Sequence, residues 1–406
     1  MRRVAITGAG VISAMGKTAG EFWANLAAGR SGIRTIKTCD TSMLRFKNGA
    51  EYTEFTHEPY FSDKQVDYLD RFAQFAVIAA REAVVQSGVT WTDDLRERTG
   101  IVTGSCTGGQ ITEDLGFRDI YEFKRNRIHP LSIPKVMGNA GASQISMEYG
   151  IVGPAYTVTT ACSSSAHAFG QAYWLVRNGV VDFAITGGSE APFSYAFLKS
   201  WEAMRVVSPD TCRPFSADRT GMVLGEGAAM FTLEPLDDAV ARGAEIIGEI
   251  SGFGMSADAS HITVPNPKGA ARAMRAAMAD ASIRPEQVGY VNAHGTATRA
   301  NDISETLALK DTFGEHLKRL PVSSTKSMHG HGLGAAGALE AAATVMALQH
   351  GILPPTMNYR EPDPECDMDV IPNVSREAKV EYALSNSFAF GGLNAVLAFR
   401  NPLVRG

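Results

Sequence analysis

The segment TVTTACSSSAHAFG, residues 157–170, sets one cysteine between a β-branched run and a stretch of helical spacing. A thiol placed where a helix begins meets backbone N–H groups that lack intrahelical partners. The positive helix end favours a thiolate and lowers the thiol pKa from its free value of about 8.5. Cys162 is therefore either a nucleophile, with amides at hand to hold an oxyanion, or a small buried filler. His294 in NAHGTAT and His331 in STKSMHGHGLGAAG each lie just past an apolar run and beside glycine, which lets backbone or substrate come close. Lys326 precedes His329 and His331 by three and five residues. It is either a surface lysine or a buried cation that orients a histidine and holds it neutral. Glu340, inside an apolar helical stretch, is its natural counter-charge, since an unpaired charge there is costly. His329 and His331 do not complete a metal site, because no carboxylate or cysteine stands near enough in sequence.

Two rival motifs are present. GAGVIS, from Gly8, resembles the start of a dinucleotide fingerprint, but Ser13 stands where the third small residue belongs. GSCTG, residues 104–108, matches a nucleophile elbow with cysteine in place of serine, which makes Cys106 a competitor of the hydrolase kind.

The elements that must carry these residues alternate along the chain. RRVAITGAG reads as a strand leading into a tight turn, DYLDRFAQFAVIAAREAVVQSG as a helix ending at Gly88, and RTGIVTGSCTGG as a strand running into a glycine-rich loop. YTVTTA is a strand, SSSAHAFGQAYWLVRNG a helix, VDFAITGGSEA a strand, and GMVLGEGAAMFTLEPL a pair of buried strands. After about residue 250 the rhythm returns: a helix at KGAARAMRAAMADASI, a strand and loop at VGYVNAHGTAT, a helix at DISETLALKDTFG, a strand at LPVSSTKS. GAAGALEAAATVMALQHG is a helix of small residues, and YALSNSFAFGGLNAVLAFR reads as two strands. Such alternation predicts an α/β fold on buried sheets. The units GIVTGSCTGGQITEDLG and GYVNAHGTATRANDISE share one layout, a hint of duplication.

Composition bounds the function. The chain has 406 residues, 45% hydrophobic and 20% charged, with a formal net charge of −5. It offers no global basic field for nucleic acid or an anionic membrane. No apolar run is long enough to span a bilayer, and the first sixteen residues read as a strand rather than a secretion signal. Cysteines 39, 106, 162, 212 and 366 are scattered singly. That spacing argues against disulfides and zinc clusters and suits a reducing cytoplasm.

Taken together, TTACSSS, NAHGTAT, SSTKSMHGHGLGAAG and NSFAFGGLN resemble the β-ketoacyl-acyl carrier protein synthases of the elongating branch, in order and spacing across essentially the whole chain. The resemblance implies a thiolase-like α/β fold of two duplicated halves in a five-layered αβαβα sandwich, residues 1–250 carrying the cysteine and 251–406 the histidines. It implies a homodimer and an acyl carrier protein as partner, with no metal and no cofactor beyond the phosphopantetheine that the carrier brings. Cys162 corresponds to the acyl-accepting nucleophile, and His294 and His331 to donors toward the malonyl thioester oxygen. Lys326 and Glu340 correspond to the supporting pair. The amides of Cys162 and Phe390 correspond to an oxyanion hole, with Phe390 the gate and Gly391 and Gly392 giving its loop freedom. Thr296 and Thr298 match pantetheine-binding threonines, and Phe388 and Gly391 fall with them in the substrate-binding set. The expected reaction is decarboxylative condensation, giving a β-ketoacyl thioester two carbons longer.

The chain departs from the pattern in places. His329 stands where relatives usually carry threonine. Thr107 stands at an acyl-pocket position where long-chain synthases carry a bulky aliphatic residue, which predicts a pocket altered in length or polarity. The stretch around Lys64 is poorer in basic residues than a carrier-docking helix, leaving Lys124, Arg125, Arg127 and Arg205 as candidate carrier contacts. The alternatives are a polyketide or nodulation-type ketosynthase, a hydrolase using Cys106, and a non-catalytic chain-length subunit; Cys162 with both histidines speaks against the last.

Overall fold

One strand order occurs twice. A computed structural model describes residues 1–404. In the first half the strands are β1 (Val4–Ser13), β2 (Thr99–Gly104), β3 (Ala155–Val158), β4 (Phe183–Glu190) and β5 (Gly227–Pro235), arranged 3-2-4-5-1. In the second they are β6 (Gly248–Ala257), β7 (Val288–Asn292), β8 (Val322–Ser323), β9 (Tyr382–Ala389) and β10 (Leu393–Arg400), arranged 8-7-9-10-6, the same order displaced by five. The pairing senses repeat as well: β2 and β7 each lie parallel to both neighbours, while β5 and β10 are antiparallel to theirs. This equivalence carries the duplication far beyond the slight sequence likeness of the two units. β1 pairs with β6 at Val4–Ile250 and Ile6–Gly248, so the two sheets join along one edge into a ten-stranded ladder. The division at residue 250 drawn from sequence falls inside β6.

Helices α1 (Arg71–Ser87) and α3 (Ala140–Tyr149) cover the outer face of the first sheet, and α6 (Pro267–Asp280) and α7 (Arg299–Phe313) that of the second. Between the sheets lie α4 (Ser164–Arg177) and α8 (Ala336–His350), packed on each other and on both sheets. The result is the five-layered α/β sandwich of the thiolase-like fold. Residues 336–348 of α8 are buried on every side. A helix enclosed all round needs small, apolar residues where backbones meet, which explains the alanine-rich sequence. The helix directly after β2, α2 (Gln110–Tyr121), is mostly half-buried, with Gly116 alone fully enclosed. Its layered role is taken by α3, so the sequence units match in strand and loop but not in helix.

Two sequence expectations change. Residues 221–236 do not form a strand pair: only β5 is a strand there, and the preceding segment makes isolated bridges at Val207–Met222 and Leu224–His331. Nor does β1 turn at its glycines; it continues to Ser13, with a shift of register between Ile6 and Gly8. A Cβ on Gly8 or Gly10 would lie 2.0 Å from the carbonyl oxygen of Ala83 or Ala79 in α1, so these glycines admit a helix against the strand. Replacing Gly10 by valine is expected to cost about 3 kcal/mol of stability or more, the upper range of overpacking penalties. Urea unfolding measures it; wild-type stability would contradict this packing.

Candidate active site

Cys162 sits on a strained turn between β3 and α4. Ala161 has φ 50°, a left-handed conformation that costs a non-glycine residue about 1–2 kcal/mol. The three serines hold this turn. Ser163 Oγ donates to the carbonyls of Thr160 (2.8 Å) and Leu393 (3.1 Å). Ser164 Oγ donates to Ala161 O at 2.6 Å and accepts from Thr160 N at 2.9 Å. Ser165 Oγ accepts from Ala338 N at 2.9 Å, tying the two central helices together. Because Ser163 occupies the cap position of α4, Cys162 lies one residue ahead of it.

The sulfur is buried. Burial pushes the Cys162 thiol up to about 11, while Lys326 and the N–H groups of Phe390 and Cys162 itself pull it down. This corrects the expectation that the helix end lowers the thiol. The amides of Phe390 and Cys162 act in the expected direction, but desolvation outweighs them.

His294 follows β7. Its backbone N–H and that of Gly295 donate to the two oxygens of Glu305 at 2.8 and 2.7 Å. Lys326 Nζ donates to His294 O at 2.7 Å and approaches Nδ1 at 3.3 Å. With Nδ1 facing a donor, the ring carries its proton on Nε2. His331 follows the same rule by another route, since its Nδ1 accepts from Leu333 N at 3.1 Å. The rings stand edge to face, 5.4 Å between centroids. Burial first, and then the charge of Lys326, hold both imidazoles well below the ordinary histidine range. The pair is therefore neutral at physiological pH, each ring offering one Nε2–H.

Lys326 and Glu340 form an ion pair with no exposed side-chain surface. Burial raises the Glu340 carboxyl, and Lys326 opposes it. His329 is also enclosed, its Nε2 2.9 Å from Thr325 Oγ1, and burial drives its pKa to about 3. It packs against Phe22, with ring centroids 6.1 Å apart, and does not line the cavity.

Cys162, His294, His331, Thr296, Thr298, Phe388 and Phe390 line one cavity of about 310 Å³. Thr296 and Thr298 share a hydroxyl hydrogen bond of 2.8 Å. Phe390 stacks on Trp201 with ring centroids 6.1 Å apart. Its glycines are bonded to the mouth segment: Gly391 N donates to Ile262 O at 2.7 Å, and Gly392 O accepts from Asp258 N at 2.9 Å. Both glycines have positive φ, 81° and 69°. Gly391 itself does not line the cavity, nor do Lys326 and Glu340, which lie beneath the histidines.

Thr107 is likewise absent from the lining, and its hydroxyl donates to Glu190 Oε1 at 2.8 Å. Cys106, the rival nucleophile, lies beside the same carboxylate. Burial and then Glu190 push its thiol well up, the reverse of activation. Arg205 is exposed between the lining residues Met204 and Val206. Lys124, Arg125 and Arg127 stand in an exposed stretch away from the lining, Arg125 paired with Asp119 at 2.6 Å. Sequence reasoning missed Glu305, Glu190 and Trp201. The signal for Glu190 was a lone acid in an otherwise small or apolar stretch, AITGGSEAPF, whereas Glu305 lies in the polar stretch NDISETLALKD, where nothing sets it apart.

No helix among the described residues is long and apolar enough to cross a membrane. Residues 1–239 match the family described as "Beta-ketoacyl synthase, N-terminal domain", and residues 247–360 match "Beta-ketoacyl synthase, C-terminal domain". Nodulation protein E of Rhizobium sp. (strain N33) is 49% identical, over 98% of this chain and 99% of that protein. The 3-oxoacyl-(acyl-carrier-protein) synthase 2 of Staphylococcus aureus (strain N315) is 40% identical over 98% of each. Among solved structures, the ishigamide ketosynthase/chain length factor superposes with TM-score 0.94 at 38% identity, covering 98% of this chain and 99% of that one. A type II PKS ketosynthase in complex with its acyl-carrier protein superposes with TM-score 0.89 at 30% identity and the same coverage. With both domains matched in order and whole-length relatives at this identity, the chain belongs to the β-ketoacyl synthases, acyl-transferring condensing enzymes of the thiolase-like fold.

Proposed function

We propose that this chain elongates an acyl thioester by decarboxylative condensation with a malonyl thioester, both delivered on an acyl carrier protein. The observation that carries the assignment of roles is the meeting of one buried sulfur and two neutral Nε2–H imidazoles in a single cavity.

In the first half-reaction the Cys162 sulfur attacks the acyl carbonyl. The amides of Cys162 and Phe390 would hold the oxyanion. The carbon–sulfur bond to pantetheine breaks, and the departing sulfur takes the proton that Cys162 gives up. In the second, the malonyl carboxylate leaves as carbon dioxide. Its electron pair moves into an enolate whose oxygen accepts from His294 and His331. The enolate carbon attacks the acyl-Cys162 carbonyl, the bond to Cys162 breaks, and the freed thiolate takes a proton from solvent. Covalent storage splits one hard step into two easier ones. Lys326 orients His294 and disfavours protonation of both rings, so each remains a donor that adds no positive charge.

Thr296 and Thr298 would bind the pantetheine arm, and Phe388 belongs with them toward the substrate, while Gly391 would act through the loop that carries Phe390. Phe390 would gate the acyl pocket, while Thr107, with its hydroxyl turned to Glu190, does not line the cavity. Arg205 at the mouth is the leading carrier contact, with Lys124, Arg125 and Arg127 as further candidates. A homodimer, a cytoplasmic setting and the lack of any cofactor beyond carrier-borne pantetheine complete the reading. The division into a cysteine half and a histidine half belongs to it too. Primary fatty acid elongation is the general form. Identity of 49% to nodulation protein E against 40% to the 3-oxoacyl synthase favours a second form, in which the chain serves a specialised lipid. Mass spectrometry of acyl groups on Cys162 in protein from its host separates the two by chain length and unsaturation.

His294→Ala and His331→Ala are each expected to acylate Cys162 at near wild-type rates while losing about a hundredfold or more in malonyl-driven condensation, the usual cost of one donor to a developing oxyanion. Stopped-time mass analysis of each half-reaction checks this; equal loss in both steps would contradict it. Because the free thiol stands at about 11, alkylation of Cys162 by iodoacetamide should quicken about tenfold per pH unit from pH 7 to 10, as a rising thiolate fraction requires. A rate that levels off below pH 8 would show a thiolate already formed.

A further inference from the structure

We propose that Glu190 is a positioning residue that locks the turn carrying His331 to the loop beside Cys162, and so sets the condensation half-reaction. The proposal rests on the reading of function above. Glu190 ends β4 and is wholly buried. Its oxygens are met by N–H and O–H groups from two distant segments rather than by a basic side chain. Oε1 accepts from Ser105 Oγ (3.0 Å), Thr107 Oγ1 (2.8 Å) and Thr107 N (3.4 Å). Oε2 accepts from Cys106 N at 2.8 Å and, from the other half of the molecule, Gly334 N at 3.0 Å.

The second segment is the one that orients His331. Leu333 N donates to His331 Nδ1, and Leu333 itself has φ 50°, a strained conformation that persists only where neighbours enforce it. His331 holds that residue from one side, and Glu190, through Gly334 N, holds it from the other. A Cβ on residue 334 would lie 2.4 Å from both Glu190 Oε2 and Cys106 N, so the approach requires glycine. Glu305 does the same for His294, binding the amides of His294 and Gly295. Each donor imidazole thus has a buried carboxylate behind its loop. The Cys162 turn, by contrast, has its own serine bonds. Loss of Glu190 should therefore spare acylation and impair condensation. Glutamine keeps the shape but turns an N–H₂ group toward donors, while aspartate keeps the charge and shortens the reach.

The test uses the full chain with octanoyl- and malonyl-pantetheine thioesters as probes. Glu190→Gln and Glu190→Asp are followed by intact-protein mass for acylation and by β-ketoacyl product for condensation, with circular dichroism confirming the fold. Acylation is expected within about threefold of wild type, and condensation down about tenfold or more in E190Q and threefold or more in E190D, as small misplacement of a reacting group produces. Should E190Q fail to fold, E190D decides. Wild-type condensation in a folded variant, or equal loss of both half-reactions, overturns the proposal. Failure of the wild-type protein to condense would instead strike the reading of function beneath it.

Discussion

Lys326 is fully buried, and the arrangement of the site depends on the charge it carries. An ammonium group away from water must be matched, and it is, by Glu340 on the central helix and by the carbonyl of His294. Those contacts decide three things together. They fix the plane and tautomer of His294, they disfavour protonation of His294 and His331, and they offset part of the desolvation of the Cys162 sulfur. A cation that stays beneath the site lets the imidazoles act as neutral donors. Charge that develops above them during reaction then meets fixed dipoles in a dry cavity, where such dipoles act more strongly than in water.

The duplicated fold explains how residues as far apart in sequence as Cys162, His294 and His331 come to share that cavity. The matching loops after β2 and β7 carry Cys106 and His294, and the central helices α4 and α8 begin close to Cys162 and His331. α4 and α8 can lie side by side because their facing residues are small. The seam between β1 and β6 then keeps both halves in one register.

Much of this was legible in the sequence because the informative residues break local rules. A lone cysteine before three serines, two histidines beside glycines, and a lysine and a glutamate in apolar surroundings all marked positions that packing alone would not choose. What stayed hidden depends on the balance of burial against polarity. The helix end at Cys162 suggested a lowered thiol, yet the depth of the sulfur reverses the sign. Glycines in β1 suggested a turn, whereas α1 uses them for contact. Residues 221–236 have strand-like composition throughout, but only their second part finds a ladder partner on each side. Glu190 and Glu305 bind amides contributed by other segments, and such partners leave no local periodicity to read.

The account's central claim is that both imidazoles facing the sulfur are neutral and protonated at Nε2. Nitrogen-15 NMR of the histidine side chains, recorded from pH 5 to pH 9, tests it most directly. The account predicts that His294 and His331 hold the chemical shifts of a neutral ring with a protonated Nε2 over the whole range. Titration of either ring near the ordinary histidine pKa of about 6.5, or an Nδ1-protonated ring at His294, would contradict it.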